Sequence, residues 1–191
     1  YGLPKDVPAN YKVYKSLSEA NSDLKQAYAP QAQNWSGQQV DALKYWSSTS
    51  GCIDINTAAW SGNVGKASAK GQTSIKHLDS LFEQAKTPHD MVVVRTDYIG
   101  NWVHKIANNL KVGDNYIAKG YDAASANASW GAGSSARFVY HVPAGTKAVY
   151  LNAKSASHYG SEGELLFKRG LVWKVAKIDG GDYHLEYAGE L

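Results

Sequence analysis

Cysteine is almost missing from this chain: Cys52 stands alone, so no internal disulfide can form and a cysteine-rich metal site is excluded. The six histidines, at 77, 89, 104, 141, 158 and 184, never fall into a zinc-ligand spacing. Long apolar runs are lacking too. None exceeds four residues, as in Met91-Val92-Val93-Val94, far short of the about twenty that a membrane-spanning helix requires. The start, Tyr1-Gly2-Leu3-Pro4, shows neither Met nor a basic-plus-apolar leader, the pattern expected of a processed form or an excised domain. Excess charge of one sign is scarce: Lys and Arg number 20 against 17 Asp and Glu, a net +3 with the lysines scattered. That balance tolerates a small anionic ligand but falls short of a nucleic-acid footprint.

What is present reads as one globular domain. The 191 residues are 43% apolar and only 19% charged, which excludes a disordered or collagen-like chain, and no linker, repeat or low-complexity tract interrupts them. Thirteen Tyr and six Trp supply amphipathic rings suited to a core or to ligand stacking. The domain plan is an N-terminal extension with a helix over 1–35, a helical part over 36–88 and a mainly β part over 89–191. Ser36-Gly37-Gln38-Gln39 is a capping box that opens a helix through Val40, Leu43 and Trp46. A short helix is expected over Ile53 to Trp60. The clearest amphipathic helix runs from Thr73 to Lys86, with Ile75, Leu78, Leu81, Phe82 and Ala85 on one stripe and Pro88 closing it.

The periodicity then changes. Asp90 to Thr96 is a β-branched run expected as a short buried strand. Further strands are expected near 115–121, 136–142, 147–151, 163–168, 171–178 and 183–188. Pro143-Ala144-Gly145 and Asp179-Gly180-Gly181-Asp182 supply turn chemistry between them. Helices followed by hairpin-spaced strands make the fold class α+β.

Four segments carry candidate chemistry. In Ser161-Glu162-Gly163-Glu164-Leu165-Leu166-Phe167, a strand beginning at Glu164 would put the Glu162 and Glu164 carboxylates on one face. Two carboxylates side by side raise each other's pKa and suit glycosidic-bond cleavage, one stabilising an oxocarbenium-like centre while the other handles a proton; a solvated strand edge is the bland alternative. Arg95, ending the Met91–Thr96 run, offers a rigid fork for a phosphate or carboxylate, or else pairs with an Asp or Glu at the sheet surface. Lys119-Gly120-Tyr121-Asp122-Ala123-Ala124-Ser125 ends in small residues that permit close approach of a ligand or of another strand. The loop Gly131-Ala132-Gly133-Ser134-Ser135 lacks the ending of a P-loop; it leads into Arg137 and Phe138, as an anion clamp or as a plain hairpin connection.

The order of these segments resembles the arginine–serine–glutamate branch of the ADP-ribosyltransferase toxins, of the Glu-x-Glu type. An arginine ends a strand, a Gly-Tyr strand ends in Ser125, a Pro-x-Gly turn follows at Pro143, and Glu162-Gly163-Glu164 leads a strand. Tyr45-Trp46-Ser47 with Ile55-Asn56 is similar to that family's helix pair. His141 to Thr146 with Val149-Tyr150-Leu151 is similar to its central hairpin, and Arg169-Gly170 with Trp173-Lys174-Val175 to the strand after the catalytic one. The likeness covers residues 36 to 178.

The resemblance implies N-terminal helices packed on a core of two antiparallel-rich β-sheets, with an NAD cleft between them. It implies a mono-ADP-ribosyltransferase that uses NAD as co-substrate and needs no metal. Arg95 would hold the NAD phosphates, with the Thr96 backbone facing the nicotinamide amide. Arg137 would be a second phosphate contact and Phe138 the ring beside the nicotinamide. Glu164 would stabilise the oxocarbenium, Glu162 would orient or deprotonate an acceptor arginine, and Tyr159 in the 155–161 loop would meet the target. One departure stands out: Ala123-Ala124-Ser125 replaces the family's Ser-Thr-Ser. The hydroxyl that orients the glutamate is missing at Ala123, a loss on the order of 1 kcal/mol that Ser125 or a water would have to offset. Two alternatives therefore stay open, an NAD glycohydrolase and a weakened NAD-binding homologue. The implied partner is a protein in another cell, of the cytoskeletal or GTP-binding kind, with an immunity or carrier protein alongside. The implied setting is a secreted or injected effector acting in the target-cell cytosol.

Overall fold

A computed structural model describes residues 2–96, 102–157 and 160–191. Helices α1 (Leu17–Ala32), α2 (Gly37–Ser47), α3 (Thr49–Ser61) and α4 (Ala69–Phe82) come first. The capping box at α2 forms as expected: Ser36 Oγ accepts from Gln39 N at 3.1 Å and Ser36 N donates to Gln39 Oε1 at 2.9 Å. Two helices differ from expectation in their bounds. Helix α3 begins at Thr49, because Ser48 caps it through Gly51 N. Helix α4 begins at Ala69, because Ser68 caps it through Gly71 N, and it ends at Phe82 with Ala85 still buried in the turn beyond. No helix among the described residues is long and apolar enough to cross a membrane.

The β part contains β1 (Met91–Thr96), the short helix α5 (Trp102–Ala107), β2 (Asn115–Ala118), β3 (Asp122–Ser125), β4 (Arg137–Val142), β5 (Ala148–Tyr150), β6 (Glu164–Phe167), β7 (Leu171–Asp179) and β8 (Asp182–Glu190). Their order is β2-β7-β8-β4-β1-β3-β6-β5. All pairs are antiparallel except β4 with β8. The two expected sheets are the two wings of this ladder. A five-stranded wing ending in β1 and a three-stranded wing beginning with β3 share one register pair, Val94↔Ser125. Across the interior, Phe167 of the short wing packs on Tyr140 and Trp173 of the long wing, each at 5.2 Å between ring centroids. Hydrophobic burial on both inner faces holds the wings together.

The single strand expected over 115–121 is instead β2, and the chain then changes wings. Strand β2 pairs with β7, whereas β3 pairs with β6 and β1. The crossing is pinned by α3: Asn56 donates to Tyr121 O at 2.8 Å and accepts from Tyr121 N at 2.9 Å. Only glycine fits at 120, since a Cβ there would lie 2.3 Å from the Trp60 ring.

Candidate active site

The seam between the wings holds the chemistry. Along β1, Met91 and Val93 pack into the main core while Val92 and Val94 face a second, smaller one. Alternation puts Arg95 on the main-core side. There Arg95 Nη1 forms an ion pair with Asp122 Oδ1 and donates to Ala123 O at 3.1 Å. Asp122 is wholly buried and also accepts from Tyr116 (3.2 Å) and Tyr140 (2.7 Å). Burial works against the guanidinium's charge, and Asp122, with Tyr140 and Tyr116 beside it, outweighs that effect and holds it more firmly protonated. The Arg95 ring-stacking partner is Trp102, with the guanidinium carbon 4.5 Å from the indole centroid. Nε and Nη2 donate no hydrogen bond among the described residues.

A cleft of about 170 Å³ opens here, lined by Arg95, Thr96, Ser125, Trp130, Glu162 and Glu164. Arg95 also borders a second groove with Asn56, Thr57, Trp60 and Trp102, so its side chain stands at the junction of the two.

Glu162 and Glu164 reach one cleft, but not by strand alternation. Glu162 closes a short 3-10 turn (Gly160–Glu162), and Gly163 follows with φ +57° before β6 begins. Gly163 is required by that positive φ, and a Cβ would also press on Leu17 at 3.0 Å. The turn is tied to β3 by Ser125 Oγ, which donates to Glu162 O at 2.6 Å and accepts from Asn127 N at 3.1 Å. The Glu164 carboxylate accepts from Trp46 Nε1 at 2.7 Å. Burial pushes Glu164 up to about 7; the Trp46 bond opposes the rise, Glu162 adds to it and Arg95 opposes it. Burial raises Glu162 as well. Glu164 is thus poised to exchange a proton near neutrality.

Other expected site residues lie elsewhere. Arg137 is buried, with a two-armed ion pair to Asp182 at 2.8 and 2.9 Å. Its Nη1 donates to the carbonyls of Gly2 (2.9 Å), Trp130 (3.2 Å) and Ala128 (3.4 Å). All three nitrogens are engaged, so Arg137 fastens the glycine loop and the N-terminal segment to β8 and does not line the cleft. Phe138 is fully buried among Tyr116, Tyr140 and Tyr183 and offers no face to a ligand. Ser125 lines the cleft, yet its hydroxyl serves the Glu162 backbone and does not replace the hydroxyl absent at Ala123. Thr96 lines the cleft with its Oγ1 donating to Ala136 O at 3.1 Å. Tyr159 lies outside the described residues. Three residues that the structure places at the cleft or against Arg95 and Glu164 were not among the expected site residues: Asp122, Trp46 and Trp130. The signal was indirect: Asp122 sits inside the small-residue strand and Trp46 inside the aromatic helix segment, while Trp130 carried none.

Residues 20–184 match the family described as ADP-ribosyltransferase exoenzyme. The epidermal cell differentiation inhibitor of Staphylococcus aureus is 26% identical over 204 aligned positions, which cover 91% of this chain and 80% of that protein. Plx2a, an ADP-ribosyltransferase toxin from Paenibacillus larvae, superposes with a TM-score of 0.77 at 17% identity, covering 94% of this chain and 100% of that one. C3stau2 from S. aureus, solved with NAD, gives 0.75 at 22% identity, covering 95% and 100%. These likenesses carry the α+β fold with its helices ahead of the sheet.

Proposed function

This chain belongs to the ADP-ribosyltransferase exoenzyme family and transfers ADP-ribose from NAD to a target protein; on that premise, we propose how its residues divide the work and that the acceptor is an arginine. The observation that carries this reading is the position of Arg95 at the junction of two grooves, one of which holds both raised carboxyls. On this reading the cleft takes the nicotinamide and its ribose, and the adjoining groove takes the adenosine half. Arg95 then meets the pyrophosphate with Nε and Nη2 while Asp122 braces Nη1. The Thr96 backbone faces the nicotinamide amide, and the Trp130 ring takes the packing role that the buried Phe138 does not reach.

Nicotinamide departs as the C1′–N bond breaks, and the bonding pair neutralises the pyridinium, so no general acid is needed. Glu164 in its ionised form stabilises the cationic ribose carbon. A guanidinium nitrogen of the target attacks C1′, and its proton passes to Glu162, which makes the Glu-x-Glu arrangement an arginine-directed one. The 155–161 segment, with Tyr159, meets the target. That target is a protein of another cell, of the cytoskeletal or GTP-binding kind, reached after secretion or injection; an immunity or carrier protein accompanies the producer.

Mass spectrometry of a lysate incubated with the protein and NAD tests this. ADP-ribose on arginine side chains is expected. Modification confined to another residue type overturns the acceptor assignment, and release of free ADP-ribose with no labelled protein favours the glycohydrolase.

A further inference from the structure

We propose that Trp46 is a positioning residue for the transfer: its indole N–H aims the Glu164 carboxylate and holds it in the cleft. The proposal rests on the reading that Glu164 is the catalytic carboxylate. Among the described residues, Trp46 is the only hydrogen-bond donor to that carboxylate, at 2.7 Å. An indole N–H donates and never accepts, so the bond favours the ionised form. The ring itself is fixed. It is buried on α2, whose start is locked by the Ser36–Gln39 capping box, and it packs edge-on against Tyr121 at 5.9 Å.

Among the described residues, no other side chain that contacts Glu164 does this. Ala123 and Ala124 of the facing strand carry no hydroxyl, and the Ser125 hydroxyl is spent on the Glu162 carbonyl. Among the described residues, the charged and titratable groups that act on the carboxylate are Glu162 on the preceding turn, Cys52 on α3 and Arg95 on β1. Glu162 repels a charge there, and Cys52 is a thiol that burial pushes up to about 11. Arg95 is the only cation among them, and its Nη1 is committed to Asp122. The fixed indole is therefore what orients the carboxylate and offsets part of its burial.

Trp46→Phe keeps a ring and removes the donor. The acidic limb of its kcat/KM profile should move up by about one pH unit. Turnover above that limb should fall on the order of tenfold, with KM for NAD changed less than about twofold. A purely structural role would lower Tm and leave the limb in place. A wild-type limb and turnover in Trp46→Phe, alongside an inactive Glu164→Gln, overturns the proposal. A Glu164→Gln variant that turns over normally removes the carboxylate assignment itself, and the proposal with it. Should Trp46→Phe not fold, ¹⁵N-indole spectra of the wild-type protein decide the matter. One indole resonance should titrate with a midpoint near Glu164's about 7 and cease to titrate in Glu164→Gln. Absence of such a resonance is equally decisive against it.

Discussion

Asp122 braces Arg95 from inside the protein: the carboxylate is buried, held by the Tyr116 and Tyr140 hydroxyls, and takes one guanidinium arm while the rest of that fork borders the cleft. The ion-pairing reading of an arginine at a strand end is met, with a buried partner in place of one at the sheet surface. Asp122→Asn retains the shape and removes the charge. It should lower stability by about 2 kcal/mol, less than the full cost of breaking a wholly buried pair because Arg95 keeps some access to water. NAD affinity should fall about tenfold as the fork loses its brace. Urea unfolding and calorimetry measure the two. Unchanged NAD affinity in a folded variant would mean that Asp122 stabilises the sheet alone.

The legible parts of the site were those encoded locally. Arg95 follows four apolar residues in a row, and Glu162-Gly163-Glu164 is a contiguous motif, so both stand out in the sequence. Trp46 meets Glu164 across 118 residues, and Arg137 meets Asp182 across 45, through the parallel β4–β8 pairing that no periodicity announces. Strand β4 is buried at every position, so alternation could not separate a cleft-facing Phe138 from a core one. Helices and strands were readable for the opposite reason, since caps and hydrophobic period are local. The break between β2 and β3 was not, because the pattern of 115–125 is silent on which neighbour each half pairs with.

Glu164→Gln should reduce turnover on the order of a thousandfold while NAD affinity stays within a few-fold, since the carboxylate acts on charge that appears only in the transition state. The same variant should be more stable than wild type above neutrality. Glu164 has a folded pKa of about 7 against an ordinary value of 4.5. Below 4.5 both folded and unfolded chains hold the proton. Between 4.5 and about 7 the folded chain alone holds it, so this group's stabilisation is lost as pH rises through that window. By pH 8.5 the deficit is on the order of 3 kcal/mol. Urea midpoints at pH 5 and pH 8.5 check the sign: the advantage of the glutamine should be larger at the higher pH.

Ser125→Ala removes the hydroxyl that ties the Glu162 carbonyl to β3. The Glu164 carboxylate keeps its own donor, so NAD cleavage should persist. What loosens is the turn that carries Glu162, the residue proposed to take the acceptor's proton. Transfer to protein should therefore fall about tenfold relative to NAD hydrolysis. Parallel assays of labelled protein and of released nicotinamide give that ratio. An equal loss of both activities would tie the serine to nicotinamide departure instead.

Arg137 supplies the sharpest contrast between sequence resemblance and structure. Its two-armed pair with Asp182 and its bonds to three carbonyls join the N-terminal segment, the glycine loop and β8 in one place. A lysine carries the same charge but lacks the planar fork, so it satisfies one carboxylate oxygen and leaves buried carbonyls without donors. Arg137→Lys should therefore cost about 2–3 kcal/mol in urea unfolding. Its effect on NAD affinity should stay within about twofold at temperatures where the protein is folded, because the guanidinium lies outside the cleft. Were this arginine a phosphate contact, the pattern would invert, with near-normal stability and NAD binding weakened about tenfold or more. Measuring both quantities on the one variant separates a fastening of the loop from a grip on the dinucleotide.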